Sequence, residues 1–242
     1  MSEESQQDDM SKQVVVYAMP AMDRVTVRAD VEYAAADAGD LTMDIYYPPD
    51  MQSGARTPAV ILVAGYRDAG FQSVVGCKFK EMASLVSWGR LAAASGMVAI
   101  AYTNEEPARD VHTVIQYVRQ NAAALGIDEN RIGVWASSGN VPTALSVVMH
   151  EAGEYLKCAV LCYGFMLDLD ESRVVAEASK AFGFVNASAG RTVDDLPQDL
   201  PMFLVRAGQD TFAGLNEAID AFVAKALRRN LPITLVNYAT GP

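Results

Sequence analysis

Two adjacent serines occupy a place where a strand runs into a helix. The stretch Arg131-Ile132-Gly133-Val134-Trp135-Ala136-Ser137-Ser138-Gly139-Asn140 begins apolar and ends in small residues. A tight strand-to-helix turn is the setting of a nucleophile elbow, because it presents one hydroxyl at the carboxyl end of a sheet. The N–H groups at the start of the next helix can then stabilise an oxyanion. The strict Gly-x-Ser-x-Gly pattern is not met. With Ser138 as nucleophile the flanks are Ala136 and Asn140; with Ser137 they are Trp135 and Gly139. Ser138 is the preferred register, since Ala136 is far smaller than Trp135 and asparagine tolerates unusual backbone angles. The alternative is that both serines merely cap the helix beginning at Val141.

A serine hydroxyl needs an adjacent base, and the chain has two histidines. His150 lies on the same helix as the elbow, about 18 Å away at about 1.5 Å per residue. His112 lies near the start of another helix, off its apolar stripe, and reads as a solvated residue. Three cysteines, Cys77, Cys158 and Cys162, form no CxxC pair. Cys158 and Cys162 sit in an apolar run and read as small buried thiols, so neither a disulfide framework nor a zinc site is expected.

The elements that must position these groups follow from patterning. Val25–Tyr33 and Leu41–Tyr47 read as strands, the second ended by Pro48-Pro49. Ala59–Ala64 is an unbroken apolar run, as in a strand buried on both faces. A helix is expected over Lys78–Ser95, ended by Gly96, then a strand over Met97–Tyr102. Pro107 opens a helix that carries Val111, Val114, Ile115, Val118 and Leu125 on one face and ends at Gly126. Ile132–Trp135 is a strand, Val141–Met149 a helix and Leu156–Phe165 a strand. Asp168–Leu200 breaks this rhythm and reads as an excursion at the carboxyl edge of the sheet, where ligands bind in open α/β folds. Met202–Ala207, a helix from Leu215 to Leu227 and Ile233–Tyr238 complete the series. Alternating strands and helices imply a mostly parallel sheet with helices on both faces, and the early strands fit an antiparallel edge.

Composition narrows the function. The 242 residues are 51% hydrophobic and 20% charged, with a formal net charge of −11, enough for one large core. That charge argues against nucleic acid and against an anionic membrane. Met1–Ser11 lacks a basic n-region and an apolar core, so no signal peptide is expected. No apolar run is long enough to span a bilayer. A cytoplasmic location is the expectation. Residues 1–12 are expected to form a disordered acidic head, and 13–242 a single domain.

Four segments then resemble, in order, the α/β-hydrolase fold family, in its dienelactone hydrolase and acyl-peptidase-like esterase group. Leu41-Thr42-Met43-Asp44-Ile45-Tyr46-Tyr47-Pro48-Pro49 resembles the strand before the core. Ala59-Val60-Ile61-Leu62-Val63-Ala64-Gly65-Tyr66 resembles the strand and oxyanion turn. Gly126-Ile127-Asp128-Glu129-Asn130-Arg131-Ile132-Gly133-Val134 resembles the approach to the elbow. Pro201-Met202-Phe203-Leu204-Val205-Arg206-Ala207-Gly208-Gln209-Asp210 resembles the strand that delivers the catalytic acid. The resemblance implies Ser138 as nucleophile, Asp210 as the acid that orients a histidine, and the N–H groups of Tyr66 and Gly139 as the oxyanion hole. It departs from the family pattern in three ways. The elbow glycines are replaced, Ala64-Gly65 stands where His-Gly is usual, and no cysteine lies in the elbow, which points away from dienelactones.

The resemblance further implies a catalytic histidine directly after the last strand, followed by a helix packed on the sheet. The chain stops at Thr240-Gly241-Pro242. The expectation is therefore a hydrolase truncated before its histidine, lacking the final helix, with uncovered apolar surface and low stability or self-association. The expected activity is that of a carboxylesterase-like serine hydrolase on a small-molecule acyl substrate, with no metal or organic cofactor and with a homodimer possible. Tyr163, Phe165, Phe182 and Phe184 are candidate pocket residues. Two rival readings are a non-catalytic relative that binds a small ligand or a protein, and a peptidase, for whose gating domain the length leaves little room.

Overall fold

The structure, a computed structural model, describes residues 10–36, 39–151 and 155–241. Eight strands form one sheet in the order β1-β2-β4-β3-β5-β6-β7-β8. They are β1 (Thr26–Ala34), β2 (Leu41–Tyr47), β3 (Thr57–Leu62), β4 (Val98–Tyr102), β5 (Ile127–Ser137), β6 (Leu156–Cys162), β7 (Met202–Ala207) and β8 (Ile233–Tyr238). The pairs β1/β2 and β2/β4 are antiparallel, and all the others are parallel. The expected antiparallel edge and mostly parallel centre are both present.

The helices are α1 (Asp68–Val75), α2 (Ala83–Ala94), α3 (Pro107–Gln120), α4 (Ala122–Leu125), α5 (Val141–Glu151), α6 (Val174–Phe182) and α7 (Leu215–Arg228). Several differ from expectation. The helix expected from Lys78 is a 3-10 turn over Phe79–Glu81 followed by α2. A separate helix, α1, precedes it. The helix from Pro107 breaks at Asn121 before α4 ends at the left-handed Gly126. β5 begins at Ile127, well before Ile132, because Ile127 pairs with Thr57 ahead of an irregularity in the β3/β5 ladder. Of the expected disordered head, residues 1–9 lie outside the described residues, and Met10–Lys12 form a 3-10 turn against α2.

The connections decide which face of the sheet is covered. From β3 the chain moves one way to β4, then crosses back over β3 to β5 and continues in that direction to β8. Right-handed crossovers then place α2 on one face and α3, α5 and α7 on the other. On the three-helix face Val134, Leu161 and Leu204 are fully buried. On the α2 face, directly paired residues point the same way. Trp135 pairs with Val160, Val160 with Phe203, Val205 with Val236 and Ala207 with Tyr238. Trp88 of α2 packs on Trp135, with ring centroids 5.1 Å apart. Beyond that contact the face is bare: Phe203 is 40% exposed, Val236 42% and Tyr238 61%. Cys158, expected to be buried, is exposed on this face. A groove of about 390 Å³ runs between α2 and the bare strands, walled by Trp88, Leu91, Trp135, Cys158 and Val160. No helix among the described residues is long and apolar enough to cross a membrane.

The reversal of direction at β3 creates the crevice where open α/β sheets bind ligands. The carboxyl ends of β3 and β5 meet there, and these ends carry Gly65-Tyr66 and Ser137-Ser138.

Candidate active site

β5 stays extended through Ser137, at φ −134° and ψ 154°. The chain then turns at Ser138, whose φ is 54°. A left-handed backbone at a residue with a Cβ costs about 1–3 kcal/mol and persists only where its surroundings enforce it. Three glycines from separate segments do so. A methyl at Gly65 would come within 2.7 Å of Asn140 Cα and of Gly139 O. One at Gly164 would lie 2.6 Å from Ser138 O and run into Val141. One at Gly139 would meet the Tyr66 hydroxyl and come within 2.7 Å of the Phe184 ring. No side chain fits at these positions without moving the turn.

Asn140 completes the clamp. Its Oδ1 accepts from the Gly65 N–H at 2.7 Å, and its Nδ2 donates to Ser137 O at 2.9 Å. The role expected of Asn140, tolerance of unusual backbone angles, is thus corrected. The left-handed residue is Ser138, Asn140 is not among the positive-φ residues, and its amide ties the β3 turn to the end of β5. Ser137 is drawn elsewhere, sharing a side-chain hydrogen bond with the Tyr163 phenol, whose pKa burial raises.

The segment after β3 is equally fixed. Val185 N–H donates to Gly65 O at 2.8 Å, and Tyr66 bridges to Phe184. Asp68, at the start of α1, is buried and accepts from the Phe79 N–H at 3.0 Å and the Asn104 N–H at 2.9 Å. Burial pushes the Asp68 carboxyl up, against the pull of those two N–H groups.

Ser138 opens into a cavity of about 690 Å³, whose walls include Tyr66, Phe71, Val74, Phe165, Phe182 and Phe212. Of the four expected pocket residues, Phe165 and Phe182 line it. Phe184 stands behind, stacked on Phe165 at 5.6 Å, and Tyr163 is engaged at Ser137. Sequence reasoning missed Phe71, Val74 and Phe212. The first two ride on the unexpected α1, and Phe212 follows the acid turn. Arg67 sits at the rim, paired with Glu106 at 2.8 Å.

Asp210 follows β7 in a turn, where its Oδ1 accepts from the Phe212 N–H at 2.8 Å. This turn leans on the segment after β8. Gly208 N–H donates to Tyr238 O at 2.8 Å and Gln209 N–H to Gly241 O at 2.7 Å. A methyl at Gly208 would come within 2.7 Å of Ala239. Only β6 separates the strands that carry Ser138 and Asp210, about 10 Å across at the usual strand spacing.

The structure brings neither histidine to Ser138. His150 lies near the far end of α5, its Nδ1 2.7 Å from Ser146 O and its Nε2 3.1 Å from Arg191 Nη2. His112 of α3 meets it edge to face at 5.9 Å. Among the described residues no group of three or more His, Cys, Asp or Glu side chains could hold a metal ion.

No protein-family model and no curated protein matches the chain. Solved structures do. An esterase from the planctomycete Thermogutta terrifontis is similar at 19% identity and a TM-score of 0.60, over 90% of this chain and 82% of that one. The same esterase phosphoramylated by tabun gives 20% identity and a TM-score of 0.61, over 90% and 84%. A hyperthermophilic esterase from the archaeon Pyrobaculum calidifontis gives 19% identity and a TM-score of 0.65, over 88% and 75%. With the strand order and the strand-turn-helix at Ser138, these likenesses show that the chain has the α/β-hydrolase fold.

Proposed function

We propose that this protein is a serine hydrolase acting on carboxylic esters with an apolar, neutral acyl or alcohol group. The observation that carries this reading is the left-handed Ser138 at the β5–α5 turn, opening into an aromatic-walled cavity. Strain held in place by three close glycine contacts and an asparagine clamp suits a nucleophile that must stand clear of its own strand. Ser138 Oγ attacks the ester carbonyl, and the Tyr66 and Gly139 N–H groups receive the developing negative charge. Asp210 orients an imidazole base in the correct tautomer, and water cleaves the acyl-enzyme. A base entering beside residues 239–241, which touch the acid turn, would stand between Asp210 and Ser138. The similarity to esterases supports this reading. The cavity walls favour a neutral substrate, because the rim cation Arg67 is already paired with Glu106.

The position of the two histidines favours a second reading, a non-catalytic relative that binds an apolar ligand in the same cavity. Free imidazole separates the two. In its presence the protein should hydrolyse a 4-nitrophenyl ester faster than imidazole alone, and Ser138→Ala should remove that excess while Ser137→Ala keeps it. An excess that survives Ser138→Ala, or no excess at all, would favour the binding reading.

A further inference from the structure

We propose that the Tyr66 side chain is a third oxyanion donor, its phenol O–H bonding the same substrate oxygen as the N–H groups of Tyr66 and Gly139. This rests on the serine-hydrolase reading and adds a catalytic group to it. The hydroxyl lies against Gly139, the residue after the nucleophile, so close that a methyl on the Gly139 Cα would collide with it. The Gly139 N–H is bonded to that same carbon. Tyr66 also lines the cavity into which Ser138 opens.

The ring is fixed in this place. It meets Phe184 edge to face at 6.0 Å and Phe71 at 5.6 Å, and Phe71 rests in turn on Phe79 at 5.6 Å. Its backbone is held by the bridge to Phe184. A buried phenol ordinarily finds a hydrogen-bond partner, and among the described residues this one has none in the protein. Burial raises its pKa, so it remains a proton donor at neutral pH. A fixed donor without a partner, beside the nucleophile, is the arrangement that stabilises charge without reorganisation. It also gives a reason for glycine at position 139: any side chain there would displace the phenol.

The test uses phenylboronic acid, which needs no imidazole. Boron accepts a lone pair from Ser138 Oγ, the serine proton passes to buffer, and the boron becomes a tetrahedral anion with its oxygens in the oxyanion site. Benzyl alcohol fills similar space and forms no such adduct. Affinities of both ligands would be measured by calorimetry for the native protein, Tyr66→Phe and Ser138→Ala. Tyr66→Phe keeps the ring and its packing, so its benzyl alcohol affinity should match that of the native protein. Its affinity for the boronic acid should fall about ten- to a hundredfold, as for loss of one hydrogen bond to a charged group. Unchanged boronic acid affinity in Tyr66→Phe, alongside a loss in Ser138→Ala, would overturn the inference and leave the hydrolase reading standing. Equal loss of both ligands in Tyr66→Phe would mark a purely structural role and overturn it as well. A native protein that binds the boronic acid no better than Ser138→Ala does would overturn both.

Discussion

The elbow at Ser138 and the acid turn at Asp210 both sit at the carboxyl edge of the sheet, yet they are held in opposite ways. Around Ser138 every neighbour is buried and close, with glycine contacts on several sides and both ends of the Asn140 amide engaged. Asp210 stands at the edge of the sheet. Its turn leans on residues 239–241 and on β8, whose residues after Ile233 are all exposed. The contrast separates two requirements of the chemistry. The nucleophile needs a strained backbone, which only dense packing can hold. The acid needs a direction, which a single strand edge can supply.

Substitutions that crowd the elbow should sharpen that contrast most. Gly164→Ala drives a methyl into Val141 and towards Ser138 O. It should cost about 2–3 kcal/mol in urea unfolding and end labelling of Ser138 by a fluorophosphonate. A fully labelled variant of native stability would mean that the elbow is looser than its contacts imply. Asn140→Ala leaves the Gly65 N–H and Ser137 O without their partner and should cost about 1–3 kcal/mol, read from the same unfolding curves.

At the other end, Asp210→Asn should change stability by less than about 0.5 kcal/mol. It should nevertheless reduce the imidazole-dependent, Ser138-dependent esterase rate, because the acid acts through orientation. Near-normal rates would remove Asp210 from the site. On the bare face, Phe203→Lys should likewise leave stability within about 0.5 kcal/mol and reduce any self-association seen by sedimentation; greater association in the variant would show that this face does not drive it. The smallest effect concerns the thiols. A maleimide should modify exposed Cys158 well before Cys162, whose thiol burial pushes up to about 12. Equal rates would mean that something covers the face in solution.

What the sequence makes legible follows the range of the interactions concerned. The strands β2, β7 and β8 are read at their observed bounds because each is apolar and flanked by breakers or charges. The small residues of the elbow identify the turn itself. α1 is not legible: it is eight residues long with a glycine inside, and its place depends on the buried Asp68 bonding to residues far along the chain. The start of β5 is hidden by the polar run Asp128–Arg131, which reads as loop until its pairing with β3 is seen. Cys158 looks buried in a sequence window, since the window cannot show which sheet face lacks a helix. The work of Asn140 is equally hidden, because its partner Gly65 lies on another strand.

That one amide also sets how the protein would age. Slow hydrolysis of Asn140 to aspartate would leave Gly65 its oxygen acceptor, now negatively charged. The donor facing the Ser137 carbonyl would be lost, and two oxygens would confront each other where a hydrogen bond had been. The grip on β3 would survive and the grip on β5 would fail, so a stored sample would lose the nucleophile's posture while keeping its fold. Shelf life measured as activity would run out before shelf life measured as folded protein.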